Sequence, residues 1–168
     1  MNIPSILRLI YITLLCLPSL SLAQVSRLDD SASPRYQVES LRVTSESGEP
    51  LDQALHPQLA LLDFGLVEYK LATSEFVGKR VHLYYVIPSA IKGLLNPKAL
   101  TVSWQGRDFI QSGSAHAGER KLVWSGTVTE PWLEAALYLS MQVRLGELRL
   151  RANEIFGFES YFELETLP

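Results

Sequence analysis

The sequence predicts an all-β protein, an antiparallel β-sandwich of immunoglobulin-like kind with about eight strands. Short runs in which apolar and polar residues alternate recur along the chain, with turn residues between them. No run has the apolar spacing of a long helix. The run at residues 81–87 is largely apolar on both faces, with Val81 and Leu83 on one and His82 and Tyr84 on the other. It is therefore predicted to be a central strand.

The first 23 residues have the features of a secretory signal peptide. Arg8 precedes an apolar run that is short for a membrane span, and residues 21–23 read Ser-Leu-Ala, the small-x-small form of a cleavage site. We expect cleavage after Ala23 and a periplasmic or secreted location. Two alternatives remain, an uncleaved anchor and lipidation at Cys16, and the large Leu15 before that cysteine disfavours the second.

The predicted organisation is a signal peptide over residues 1–23, a flexible polar arm over 24–35 and one sandwich domain over 36–168. Because the only cysteine lies in the signal, we expect a mature chain with no disulfide and no thiol chemistry. The 18 acidic residues outnumber the basic ones, so the charge gives no reason to expect a nucleic-acid partner. No transmembrane span is expected after signal cleavage.

The early strands are predicted from alternation and from the turn residues that bound it. Residues 36–45 indicate a strand with a central bulge, followed by a turn at 46–50. Residues 59–71 are ambiguous, and we expect an irregular or short helical piece to Phe64 and a strand from Leu66 onward. A half-buried strand is also expected at residues 100–106.

Two later strands are predicted with assigned inner faces. Residues 121–129 alternate, with Leu122, Trp124 and Val128 on the face toward the core. Pro131 then starts a short turn or helical turn through Ala135. The last strand is expected over residues 155–164, and its inward side chains are Phe156, Phe158, Phe162 and Leu164.

The clearest local pattern is a β-hairpin around the pair Gly146-Glu147. The residues on both sides of the pair alternate, and glycine at the first loop position suits a tight type II′ turn. That register places Leu145 opposite Leu148 and every apolar residue of the hairpin on one face.

No catalytic constellation is visible in the sequence, so we expect no enzyme, no cofactor and no metal site. His56, His82 and His116 are isolated from one another and from acidic residues at ligand spacing. Residues 113–116 read Gly-Ser-Ala-His and lack the G-x-S-x-G elbow, so a hydrolase using Ser114 or His116 is only the third possibility.

The candidate interaction surface contains cationic and aromatic side chains. In the predicted hairpin Arg144 lies opposite Arg149, and we favour a solvated face relieved by acidic neighbours over an anion- or partner-binding patch. Trp132 belongs to no alternating apolar run that would place it on one face of a strand. A buried position at a strand connection is favoured over an exposed platform for sugar. What covers the second face of the central strand is left open. The six candidate residues are Arg144, Arg149, Arg151, Trp132, His82 and Tyr84.

These observations favour a secreted or periplasmic, non-enzymatic interaction protein of the bacterial cell envelope, an accessory or subunit of a surface assembly. Sheet-edge pairing is the expected mode of contact, because a sandwich keeps edges that another strand can extend. The alternative is a carbohydrate-binding β-sandwich module that uses Trp132 together with tyrosines such as Tyr84 or Tyr138.

Overall fold

The computed structural model describes residues 24–34, 42–151 and 156–168. Nine strands lie within these ranges: β1 (Val25–Arg27), β2 (Arg42–Thr44), β3 (Leu59–Ala72), β4 (Arg80–Val86), β5 (Leu100–Gly106), β6 (Gly113–His116), β7 (Arg120–Thr127), β8 (Trp132–Arg144) and β9 (Tyr161–Thr166). Short 3-10 turns occur at Ser74–Phe76, Pro97–Ala99 and Leu145–Glu147. No helix in this part of the chain is long and apolar enough to span a membrane.

The strands form two antiparallel sheets that pack together, which confirms the predicted all-β sandwich. The four-stranded sheet has the order β1-β9-β4-β7 and the five-stranded sheet has the order β2-β3-β8-β5-β6. Apolar side chains from the two inner faces form one core between them.

The segment predicted to be central is β4, which lies between β9 and β7. Its inner residues Val81, Leu83 and Tyr85 are fully buried. Leu83 lies opposite Leu164, and Tyr85 lies opposite Phe162, so the predicted inner face of the last strand is also confirmed at these two positions. That strand begins only at Tyr161, after Phe156 and Phe158, which pack against the core outside any strand.

The helical piece predicted before Phe64 is wrong, because β3 is one continuous strand of 14 residues. Its pairing with β8 shifts between Asp63 and Gly65, and Gly65 has a φ of 69°. A bulge of this kind inserts one residue and reverses the alternation, which gives the leucines on either side the spacing of a helix.

A second bulge overturns the inward position predicted for Leu122, whereas Val128 is buried as predicted. The pairing of β4 with β7 places Leu83 opposite Trp124 but Tyr84 opposite Leu122, so Val123 is the inserted residue. Val123 is fully buried, whereas Leu122 is 41% exposed on the outer face. Trp124 keeps its inward direction and is partly buried against the core.

The predicted hairpin around Gly146 does not form, because β8 has no free edge at this point. Leu59 of β3 pairs with Arg144 on one side of the strand, and Leu100 of β5 pairs with Val143 on the other. The chain instead turns and runs beside the loop before β5, where Leu94 forms a β-bridge with Leu148. The Arg149 N–H there donates to the Gly93 carbonyl at 2.8 Å.

The N-terminal segment predicted to be flexible is part of the fold from residue 24 to residue 34. Strand β1 pairs with β9, and the Leu28 N–H donates to the Phe162 carbonyl at 2.9 Å. Leu28 is only 3% exposed. Farther along, the Ala72 N–H at the end of β3 donates to the Asp29 carbonyl.

One further boundary differs from the expectations, and one predicted turn is confirmed. The short turn or helical turn expected from Pro131 to Ala135 is wrong, because β8 begins at Trp132 and pairs with β3 from there. The turn at 46–50 is confirmed, with Gly48 at a φ of 82°. The bulge predicted within residues 36–45 falls mostly outside the described residues, which begin again at residue 42.

Candidate binding surfaces

The structure separates the three predicted arginines. Arg144 lies opposite Leu59 at the end of β8, so the like-charge pair with Arg149 does not exist. One Arg149 Nη donates to the Leu148 carbonyl at 2.9 Å and to the Gly146 carbonyl at 3.3 Å. Arg151 lies beyond the 3-10 turn in a segment with no strand pairing. The cationic patch depended on the hairpin and is lost with it.

Trp132 is 42% exposed, so the favoured interpretation of a buried corner tryptophan is wrong. It lies opposite Ala72 at the start of β8. The Lys70 Nζ lies 5.4 Å from the centroid of its ring, within the range of a cation–π interaction. The ring is therefore at the surface with a cation against one face.

His82 and Tyr84 lie on the outer face of the four-stranded sheet, where side chains of neighbouring strands cover Tyr84. The Arg120 guanidinium lies 3.9 Å from the centroid of the Tyr84 ring. The same guanidinium forms ion pairs with Glu165 at 2.6 Å and with Glu163 at 3.3 Å. The His82 Nδ1 lies 3.4 Å from the Tyr84 hydroxyl. We call this surface the four-stranded outer face. Its polar side chains form hydrogen bonds, ion pairs and cation–π contacts with one another.

The role of Arg120 was not predicted from the sequence, and the physical reason is the register. Arg120 reaches Glu163 across 43 residues of chain, because β7 and β9 flank the same strand β4. Tyr84 pairs with Glu163 on one side and with Leu122 on the other, and only that combined register places the cation over the ring. No local spacing carries this information.

The outer face of the five-stranded sheet carries a shallow groove of about 610 Å³ along β8. Tyr138 is 50% exposed within it. The pairing places Tyr138 in one row with Gln105 and Leu66, and Ser140 in the next row with Ser103 and Asp63. We call this surface the β8 groove, and its outward-facing side chains are Thr44, Leu61, Asp63, Ser103, Gln105, Tyr138, Ser140 and Gln142.

The polar groups of the β8 groove make few bonds to one another. The Ser140 hydroxyl is 3.5 Å from the Ser103 carbonyl, and one Asp63 carboxylate oxygen accepts from the Gly65 N–H at 3.0 Å. Within the described part of the chain the side-chain amides of Gln105 and Gln142 form no hydrogen bond to protein. These groups therefore face solvent.

The Ser114 and His116 pair does not form a nucleophile–base contact. Both lie on β6, and the His116 Nδ1 is 2.9 Å from the Leu100 carbonyl rather than near the serine. The His116 backbone N–H donates to the Glu119 carboxylate and lowers the pKa of that carboxyl. Among the described residues, no group of three or more His, Cys, Asp or Glu could hold a metal ion.

Comparisons with known proteins return no match for this chain, whether with protein-family models, with curated proteins or with solved structures. The exposed edges and faces of the sandwich are therefore the features from which function is inferred.

Proposed function

We propose that this chain is a secreted or periplasmic, non-enzymatic interaction protein of the bacterial cell envelope, an accessory or subunit of a surface assembly, that contacts its partner through the edge of β7. The location rests on the signal-like sequence of residues 1–23, and cleavage after Ala23 stays a prediction. The immunoglobulin-like subtype of the sandwich also stays a prediction.

The observation that carries this proposal is the length of β7 compared with the other edge strands. Among the described residues the edges are β1 and β2 with three residues each, β6 with four and β7 with eight. Very short edge strands are poor templates for a further strand. Strand β7 is therefore the edge best able to accept one.

Two residues of β7 direct their backbone groups away from β4. The Val128 N–H donates to the Lys79 carbonyl at 3.0 Å, so the backbone groups of Val128 point toward β4. Successive residues of a strand direct their N–H and C=O groups to opposite edges, so those of Thr127 and Ser125 point away from β4. The Val123 carbonyl on the same edge accepts from the Gln111 N–H at 2.8 Å, which ends the accessible stretch on that side. The outward N–H groups of Ser125 and Thr127 are thus the positions at which a partner strand would pair with β7.

Replacing Ser125 with proline tests the proposal, because proline removes the outward N–H. We expect Ser125→Pro to abolish a photo-crosslink between Thr127 and its envelope partner in native cells, and Ser125→Ala, which keeps the N–H, to preserve it. Both variants should retain the far-UV circular dichroism of the original chain. An adduct that survives proline at full yield, or no adduct at all in native cells, would contradict β7 pairing.

Carbohydrate binding is the second candidate function, and the exposure of two aromatic rings on one strand favours it. Trp132 and Tyr138 both project from the outer face of β8 and are 42% and 50% exposed. Six residues of strand place them about 20 Å apart, so they are two separate platforms and not one. A glycan array with no binding above background would contradict this function.

A further inference from the structure

The two outer faces of the sandwich differ in what their polar groups do. On the four-stranded outer face Arg120 already holds Glu163, Glu165 and the ring of Tyr84. In the β8 groove, amides and hydroxyls surround an exposed ring and make few bonds within the described chain. Of these two faces, as far as residues 24–34, 42–151 and 156–168 show, the β8 groove has more hydrogen-bonding groups open to a ligand.

The β8 groove is held in place by the most extensive strand pairing of the fold. Strand β8 pairs with β3 along its whole length and with β5 from Leu137 to Val143. The bulge after Asp63 lies at the groove and positions that carboxylate beside Ser140. Side chains on paired strands stand in rows about 6.7 Å apart along a strand and about 4.8 Å apart between strands. The groove is thus a preformed array of polar groups.

The lining chemistry is close to neutral. Seven of the eight outward-facing side chains carry no charge, and the exception is Asp63. Arg42 lies opposite Asp63 in the register of β2 and β3, and none of the eight groove side chains themselves is a cation that would hold a phosphate, a sulfate or a uronic acid. Each glutamine amide both donates and accepts, as the hydroxyls of Ser103 and Ser140 do. Such groups match adjacent hydroxyls, which also donate and accept.

The exposed ring of Tyr138 completes this chemistry. A pyranose presents apolar C–H groups on its face and hydroxyls at its edge, and a tyrosine ring with a polar tip matches both. Leu66 lies beside Tyr138 in the same row, is 36% exposed and adds apolar surface next to the ring. Gln105 lies on the other side of Tyr138 in that row, and Gln142 lies four residues along β8.

We propose that the β8 groove binds a neutral oligosaccharide, with one sugar ring stacked on Tyr138 and hydrogen-bonded to Gln105 and Ser140, and with the next ring along β8 hydrogen-bonded to Gln142. This inference rests on the second candidate function. It assigns the sugar site to Tyr138 and not to Trp132, whose ring already has the Lys70 ammonium against it.

The test is a titration of the purified protein with the neutral oligosaccharide that gives the strongest signal on a glycan array. Tyr138→Ala should weaken binding by about tenfold or more, because it removes the stacking surface. Tyr138→Phe keeps the ring and should bind within a few-fold of the original protein. Gln142→Ala should also weaken binding. Trp132→Ala tests the other exposed aromatic on the same strand face, and Leu122→Ala, at an exposed position of the four-stranded sheet, is the control that should leave the affinity unchanged.

The outcomes separate the site from the function. If Trp132→Ala abolishes binding while Tyr138→Ala does not, carbohydrate binding stands and the β8 groove assignment is overturned. Binding of acidic glycans alone overturns the neutral ligand class. Absence of binding to every glycan overturns both the inference and the second candidate function. Because Tyr138 is half exposed, the far-UV circular dichroism of Tyr138→Ala should match that of the original chain. The affinity of Tyr138→Phe tests the role of the ring without truncating the side chain.

Discussion

Leu28 shows how one side chain can decide whether a polar segment is ordered. The residues around it are polar and have no sustained period, which is why the sequence predicts a flexible arm. The side chain is nevertheless buried in the core, and the backbone on either side bonds to β9 and to the end of β3. A single apolar residue in a polar run gives no alternation, so the sequence pattern does not show that this residue is buried.

Truncating Leu28 should therefore destabilise the protein. We expect Leu28→Ala to lower the free energy of unfolding by about 2–5 kcal/mol, because it removes a buried side chain and leaves a cavity. Val25, on the adjacent β1, is 46% exposed, and Val25→Ala should cost less than about 1 kcal/mol. Urea denaturation at equilibrium compares the two variants. Equal losses would mean that the segment is not docked through Leu28.

At the scale of the element, alternation predicts a strand well where the pairing is regular and fails where a residue is inserted. The inner faces of β4 and β9 follow from strict alternation and are confirmed at Val81, Leu83 and Phe162. The bulge at Val123 turned Leu122 outward, against expectation, because a bulge depends on the partner strand and leaves no mark in local composition.

The hairpin around Gly146 failed for a different reason, which is competition for an edge. Its local pattern and turn residues agree, but a strand has only two edges, and β3 and β5 occupy both edges of β8. The predicted position of Arg144 opposite Arg149 depended on that hairpin and is wrong with it. Tyr138 was named from the sequence only as one possible tyrosine, because its neighbours in the β8 groove come from β3 and β5.

Replacing Gly146 with alanine distinguishes the observed turn from the predicted one. A type II′ turn needs a positive φ at its first loop residue, where alanine costs about 1 kcal/mol. In the structure Gly146 does not have a positive φ, and a Cβ there meets no atom within 4 Å. We expect Gly146→Ala to leave the midpoint of thermal unfolding within a few degrees of the original.

A matched glycine from the same region gives the control. Gly93 has a φ of 83°, and a Cβ there would clash with the Leu150 side chain. Gly93→Ala should therefore lower the thermal midpoint clearly. A loss at Gly146 as large as that at Gly93 would show that the turn has the predicted type II′ geometry.

At the scale of the whole molecule, an aromatic cluster joins the two sheets. The Tyr85 ring of β4 lies 5.0 Å from the rings of both Phe162 and Trp104, so it contacts its own sheet and the opposite one. Its hydroxyl bonds to Ser160 at 2.5 Å and to the Tyr69 hydroxyl of β3 at 3.2 Å. The sandwich therefore has a polar link inside an otherwise apolar core.

Burial gives this link a pH dependence. Loss of solvent around the hydroxyl raises the pKa of Tyr85 well above its ordinary value, and burial also raises the pKa of Tyr69. An acid whose pKa is raised by folding favours the folded state while it is neutral. The stabilisation is thus fully present below the unfolded value of about 10 and is lost as the pH rises above it.

We therefore expect the free energy of unfolding to fall between about pH 9 and pH 11 in the original chain, and to fall less steeply in Tyr85→Phe, which removes the more strongly shifted group. At neutral pH the same variant should lose about 1 kcal/mol, because Ser160 and Tyr69 lose a partner. Tyr138→Phe, at an exposed position, should keep the steepness of the original chain. Urea denaturation across this pH range measures all three. An equally steep fall in Tyr85→Phe would show that ionisation of groups other than this buried tyrosine sets the alkaline limit of the fold.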